Sequence, residues 1–252
     1  MYRLSSIKRV LLRGVPSPAC NGAHNARPGG FAKRLMLSAI ALAFFMPLQG
    51  WAESNAKKDR IPIQITKASN GAAEGWQLKE WSGRAKYEVV DTEAGKALHL
   101  SSNATSTALY KEARFRIKDF PILNWKWKAL MLPAGGDVRK KTADDQAAQV
   151  YIVFPRWPEA VNSRLVGYIW DTTAPEGSII TSTKTSNVKY IVIRSGAGGL
   201  GRWFSEQRNV HADYRRLFNE EPPEVGRVSI MIDSDNTKST AESFVADIYF
   251  SR

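Results

Sequence analysis

The 252 residues carry 36 basic and 24 acidic side chains, a net charge of +12, and one cysteine, which excludes an intrachain disulfide. Seven of the basic residues and none of the acidic ones lie in positions 1–52, leaving 29 against 24, a net of +5, for the remainder. Most of the excess charge thus belongs to the leader, so it is poor support for nucleic-acid binding, and no nucleic-acid partner is expected.

Chain order begins with that leader. Lys33 and Arg34 precede an apolar run from Leu35 to Leu48, and Gly50 and Ala52 stand at −3 and −1 of a cleavage site. This is the layout of a secretory signal peptide. The run is shorter than the roughly 20 residues a membrane-crossing helix needs, so no membrane span is expected after cleavage. A periplasmic or secreted bacterial protein is expected, with 1–52 as signal peptide and upstream extension, 53–60 as a flexible lead and 61–252 as one domain. Cys20 falls in the removed part, so the mature chain has no thiol nucleophile or thiolate ligand.

From residue 61 the pattern is that of short strands. "IPIQIT" alternates apolar and polar residues. "AKYEVVD" and "KALHLSS" flank the turn-like "TEAG", with Leu98 and Leu100 on one face and His99 on the other. In "TALYKEARFRI", Leu109, Lys111, Ala113, Phe115 and Ile117 share a parity. In "PILNWKWKALMLP", Leu123, Trp125, Trp127, Ala129 and Met131 make one apolar face, predicting that the two tryptophans anchor a core. "QAAQVYIVFPRW", "LVGYIWDTT" and "VKYIVIRSG" are longer apolar runs suited to buried strands. "NVHADYRRLFNEEPP" places Tyr214, Leu217 and Phe218 at helical spacing before Pro222, predicting one short inserted helix near 211–218. "RVSIMID" and "SFVADIYF" read as a closing hairpin around "SDNTKSTAE", with Phe244, Ala246, Ile248 and Phe250 on one face. Many short strands separated by turn signals predict a mostly β protein, an antiparallel β-sandwich.

Candidate chemistry is sparse. "GAGGLG" (196–201) matches a dinucleotide fingerprint but precedes "RWFSEQRN", which has no helical apolar period, so it predicts a glycine loop. His99 and His211 lack a partner histidine at metal spacing. Trp157 in "PRWPEA" and Trp203 in "GRWFSE" are the candidates for an exposed aromatic platform. Charged loops hold Asp137, Arg139, Lys140, Lys141, Asp144 and Asp145, then Glu206, Arg208 and Asp213, then Asp233 and Asp235. Two such carboxylates can act as acid and base in glycoside hydrolysis, or one can fix an arginine in a structural ion pair. Asp233 and Asp235 do not open an EF-hand, because Lys238 and Phe244 stand where glycine and glutamate are needed.

"NWKWKALMLP", "DDQAAQVYIVFP", "GYIWDTT", "RNVHADYRRLFNEEPP" and "IMIDSDNTKSTAESFVADIYF" occur in this order. Together they resemble the exported bacterial family named domain of unknown function 3047, over about Ile61 to Phe250. That resemblance implies localisation and architecture and no catalytic residue. "EGW", "LHLSS" and "ADIYF" are loosely similar to galactose-binding-like jelly rolls. There, an acid in the last strand lies near a structural calcium, which implies Asp247 as a metal residue and Glu74 as its early counterpart. The leading expectation is therefore an exported jelly-roll sandwich that binds a glycan or envelope polysaccharide without catalysis. Its ligand-binding residues would be Trp157, Trp203, Arg208, Asp145, Asp233 and Asp235. One alternative is a carbohydrate-active hydrolase or lyase using Asp144, Asp145, Asp233 or Asp235. Another is an envelope protein–protein interaction module with an exposed apolar patch. Oligomeric state is open.

Overall fold

A computed structural model describes residues 59–69 and 72–252. The leader (1–52) and most of the expected lead lie outside the described residues, and Arg60 already belongs to the first strand. The strands are β1 (Arg60–Pro62), β2 (Gln77–Ser82), β3 (Lys86–Thr92), β4 (Gly95–Asn103), β5 (Ser106–Phe115), β6 (Ile122–Met131) and β7 (Ala148–Phe154). They continue as β8 (Arg164–Asp171), β9 (Ile179–Thr181), β10 (Val188–Ser195), β11 (Phe204–Asn209), β12 (Val225–Asp233) and β13 (Thr240–Ser251). A four-residue helix, α1 (Glu159–Asn162), precedes β8, and α2 (Val210–Phe218) follows β11.

Two sheets face each other. One runs β11-β6-β13-β4-β3, with β1 added to β13; the other runs β2-β5-β12-β7-β8-β10-β9. The strand pairs are antiparallel except β8–β10, which is parallel. This is the β-sandwich with an inserted helix that the alternation predicts. The edge strands are β3, β11 and the short β1 in one sheet and β2 and β9 in the other.

The core forms where the inward faces meet. Trp125 and Trp127 of β6 are fully buried, and Trp125 stacks on Tyr168 of β8 with ring centres 5.4 Å apart. Trp127 lies 6.0 Å from Trp170 of the same strand. Each tryptophan removes about 150–250 Å² from water, roughly 4–6 kcal/mol of transfer free energy. These four rings join the two sheets. Met131, assigned by parity to the same apolar face, is instead exposed at the strand end.

The helix forms for local reasons. The Asn209 side chain accepts the Ala212 N–H at 2.9 Å, capping the first turn. Asn219, in the left-handed region, ends the last turn. Tyr214 and Leu217 face the core, as their spacing predicts.

Three expectations change. β12 and β13 do not form a hairpin: they belong to different sheets, and 234–239 crosses between them. This crossing packs on the oppositely directed crossing from β4 to β5, where Ser234 N–H donates to Thr105 O and the Ser102 and Ser234 hydroxyls are 2.7 Å apart. The expected single face of β13 is also broken. A bulge between Ala246 and Tyr249 leaves Phe244 stacked on His99 outside, while Ile248 and Phe250 point into the core. Finally, "FSEQRN" after the glycine loop is the edge strand β11, paired residue by residue with β6.

Candidate functional site

The acidic loops meet where β7 begins and β12 ends. Asp233 N–H donates to Gln146 O at 3.0 Å, which brings the segment before β7 against the crossing after β12. Asp145 then reaches into that crossing. Its two carboxylate oxygens accept Asn236 N–H at 3.1 Å and Thr237 N–H at 2.6 Å. Asp235 N–H lies 3.5 Å from Asp233 Oδ1. Asp145, Asp233 and Asp235 thereby each place a carboxylate oxygen within 4.8 Å of the others. Asp145 and Asp233 are 0% and 1% exposed, and Asp235 is half-buried.

Neighbouring Asp144 is separately engaged, by Lys184 Nζ at 3.0 Å and Gln146 Nε2 at 3.3 Å. Two ionised carboxylates 4.8 Å apart repel by about 3–4 kcal/mol at an effective dielectric of about 20. The two N–H groups on Asp145 offset part of that repulsion. These three carboxylates are the described group able to hold a metal ion. Their spacing is tighter than the roughly 5–9.5 Å of glycosidase acid–base pairs, and two of the three are sealed from solvent. The arrangement therefore suits a shared cation better than hydrolysis.

The outer face of the seven-stranded sheet adjoins this cluster. Tyr151 donates to Gln149 Oε1, and burial, with Tyr190, Asp144 and Asp233 nearby, pushes its phenol well above its ordinary value. Gly167 makes room for both rings: a Cβ there would lie 2.8 Å from Tyr151 and 2.9 Å from Tyr190. The loop carrying the aspartates is held down by Asp171, whose carboxylate accepts the N–H groups of Val138, Thr173 and Ala174 at 2.9, 2.8 and 2.6 Å. Burial raises the Asp171 carboxyl above its usual value, and those three N–H groups pull it back.

The remaining expected site residues lie elsewhere. Arg208 is engaged within the fold. Its guanidinium pairs with Asp213, whose Oδ2 also accepts the Tyr168 hydroxyl at 2.8 Å, a structural triad beside α2. Trp203 is half-buried on the outer face of the six-stranded sheet, under Lys128 Nζ at 5.0 Å and near Phe244 at 6.1 Å. Asp247, expected as a calcium residue, lies exposed in the bulge of β13 at φ 49°, with its carboxylate 3.0 Å from Lys126 Nζ. It stands in the other sheet from the carboxylate cluster, and an ammonium already serves it.

Trp157 is 89% exposed. It leaves the far end of β7 from the aspartates, about 20 Å along a seven-residue strand. Asn162 Nδ2 donates to its carbonyl at 2.9 Å, which closes the turn through α1. Its chain neighbours Pro155 and Glu159 line a cleft with Glu112, Arg114, Glu224 and Arg227 among others. Arg227 Nε donates to Glu112 Oε1 at 2.6 Å, so the cleft floor is already organised. Gly226 lets the backbone pass Pro155, since a Cβ there would lie 2.8 Å from its ring. Sequence reasoning missed these cleft residues: each lies on a strand or turn of ordinary polar composition.

The two-sheet sandwich defines the class of protein. A family model described as "Protein of unknown function (DUF3047)" matches residues 74–249, and the chain belongs to that family. No curated protein matches it. Among solved structures it is similar to a family 11 carbohydrate-binding module of Clostridium thermocellum (8% identity, TM-score 0.42, 76% of this chain and 94% of that one). It is also similar to a family 30 carbohydrate-binding module of Clostridium thermocellum (11% identity, TM-score 0.43, 76% and 97%). A third is the family 11 xylanase from Neocallimastix patriciarum (13% identity, TM-score 0.37, 77% and 96%). Likeness at this level includes both binding modules and an enzyme, and no ligand follows from it.

Proposed function

We propose that the protein is an exported, non-catalytic glycan-binding module that stacks a sugar ring on Trp157. The observation that carries this reading is the exposure of Trp157, at 89%, in the short segment between Pro155 and Glu159, both of which line a charged cleft. A large indole costs water contact unless something covers it, and its flat face suits the apolar face of a pyranose. Side chains of Arg114, Glu159 and Glu112 at the same cleft remain 80%, 44% and 42% exposed, available to hydrogen-bond hydroxyls. Export is supported by the basic flank and apolar run at 33–48.

The protein-interaction reading has less behind it. Among the described residues the exposed large apolar side chains are Leu130, Met131, Trp157, Val161 and Ile179, which fall in three separate segments.

Calorimetric titration of the purified protein with bacterial envelope polysaccharides, alongside a glycan array, tests the proposal. Binding is expected, lost in Trp157→Ala and kept in Trp203→Ala, with thermal unfolding of Trp157→Ala within about 0.5 kcal/mol of wild type. No binding to any polysaccharide, or full binding by Trp157→Ala, refutes it.

A further inference from the structure

We infer that Asp145, Asp233 and Asp235, together with the hydroxyl of Ser106, form a calcium site at the end of the sandwich where both sheet crossings lie. Two independent observations meet there. The first is the three carboxylate oxygens gathered within 4.8 Å. The second is Ser106, which is 0% exposed and whose Oγ has no hydrogen-bond partner.

Ser106 directly opposes Asp233 in the β5–β12 pair. Opposed residues of an antiparallel pair put their side chains on the same face, with Cβ atoms about 4.5–5.5 Å apart. Ala108 opposite Met231, two residues along, belongs to the outer cluster of that sheet, so Ser106 and Asp233 point out of the core on the same side. A buried hydroxyl is normally hydrogen-bonded. Here the hydroxyl shares a sheet face with the opposed Asp233, and a cation would give it and the three carboxylates a common partner.

The size and hardness of the site select the ion. All donors are oxygen, which suits a hard cation. Calcium–oxygen distances of about 2.3–2.6 Å allow ligands on opposite sides of the ion to lie about 4.6–5.2 Å apart, so oxygens within 4.8 Å of one another can share one calcium ion. Magnesium spans only about 4.0–4.2 Å and demands a tighter octahedron. Asp144 is excluded as a ligand because Lys184 and Gln146 already hold it. The backbone N–H groups of Asn236 and Thr237 orient Asp145 from behind. Half-buried Asp235 marks the side from which the ion enters. The ion would join three segments distant in sequence: the loop before β7, the start of β5 and the crossing from β12 to β13.

The test uses the purified protein, stripped with a chelator and titrated with calcium chloride by calorimetry. Terbium emission sensitised by the protein's aromatic rings gives a second readout. One calcium per chain is expected, with a higher melting temperature than the stripped protein and a weaker response to magnesium. Asp235→Asn, at the half-buried position, should weaken calcium roughly tenfold or more; Ser106→Ala should weaken it less; Asp247→Asn should leave it unchanged. Absence of calcium heat and terbium emission in the wild type overturns the inference, whatever the variants do. Wild-type calcium affinity in Asp235→Asn overturns the assignment of the site.

Discussion

Asp171 offers a direct measure of how the acidic loop is held. Its carboxylate accepts three backbone N–H groups, two from the turn after β8 and one, Val138, from the loop that leads to Asp144 and Asp145. Side chains of the same turn add to the clamp: Thr172 Oγ1 donates to Pro133 O and Thr173 Oγ1 to Gly136 O, both at 3.0 Å. Hydrogen bonds to a charged group contribute about 1.5–3 kcal/mol each, so three give roughly 4.5–9 kcal/mol. Removing a buried carboxylate also relieves its desolvation, the effect that raises its pKa. Asp171→Ala is therefore expected to lose about 3–5 kcal/mol, a fall in melting temperature of about 6–20 °C for a domain of this size. Asp171→Asn keeps one oxygen for Thr173 and Ala174 but turns an amide group toward Val138 N–H, so it should lose less, about 1–3 kcal/mol. Urea denaturation followed by circular dichroism reads both. A loss under about 1 kcal/mol in the alanine variant, or an asparagine variant as unstable as alanine, refutes the clamp.

Three further outcomes follow from other buried groups. Pairing with Arg139 holds the Asp137 carboxyl far below the usual carboxylate range against the opposing effect of burial, helped by Arg139 N–H and Lys140. A depressed folded value means that this stability is complete above the unfolded value of about 3.9 and is lost as pH falls toward the folded one. The gap in urea midpoint between wild type and Asp137→Asn should thus be full near about pH 6 and shrink below about pH 4; a pH-independent gap contradicts it. Asp213→Ala strands both Arg208 and the buried Tyr168 hydroxyl and should cost about 3–5 kcal/mol, and Arg208→Ala in that background should cost less than it does alone. Gly167→Ala forces a methyl into two tyrosine rings and should cost about 1–3 kcal/mol or more by thermal unfolding, so a neutral variant would show that the rings move freely.

Much of the framework was legible because period-2 alternation survives in the sheets. Leu98 and Leu100 point inward and His99 outward, and Trp125 and Trp127 fill the core, as their parity predicts. The helix was legible from Tyr214, Leu217 and Phe218. Parity carries no information about partner, however. A strand entering the opposite sheet alternates like one closing a hairpin, which is why β12 and β13 were misjoined. It also fails at a bulge, which shifted Phe244 to the outside and set Asp247 beside Lys126. The carboxylate cluster was visible only as separate loops. Asp145 meets Asp233 and Asp235 through strand pairing across almost ninety positions, and Ser106 has no local mark at all. Trp157 and Trp203 look alike in sequence, each flanked by arginine and turn residues. Their difference in exposure depends on Lys128 and Phe244, which reach Trp203 from other strands.

The outermost strands have a consequence for how copies of this chain meet. β1 and β9 are only three residues long. β2 carries Lys79 and Glu80, β3 carries Lys86, Glu88 and Asp91, and β11 carries Glu206 and Arg208. An open sheet rim invites polymerisation, because its unpaired N–H and C=O groups template the strand of a neighbour. Here each rim is either too short to template one or bears charges that a stacked neighbour would have to neutralise. At high concentration the folded sandwich is thereby steered away from fibre growth, and its faces and loops are left as the surfaces that meet the outside world.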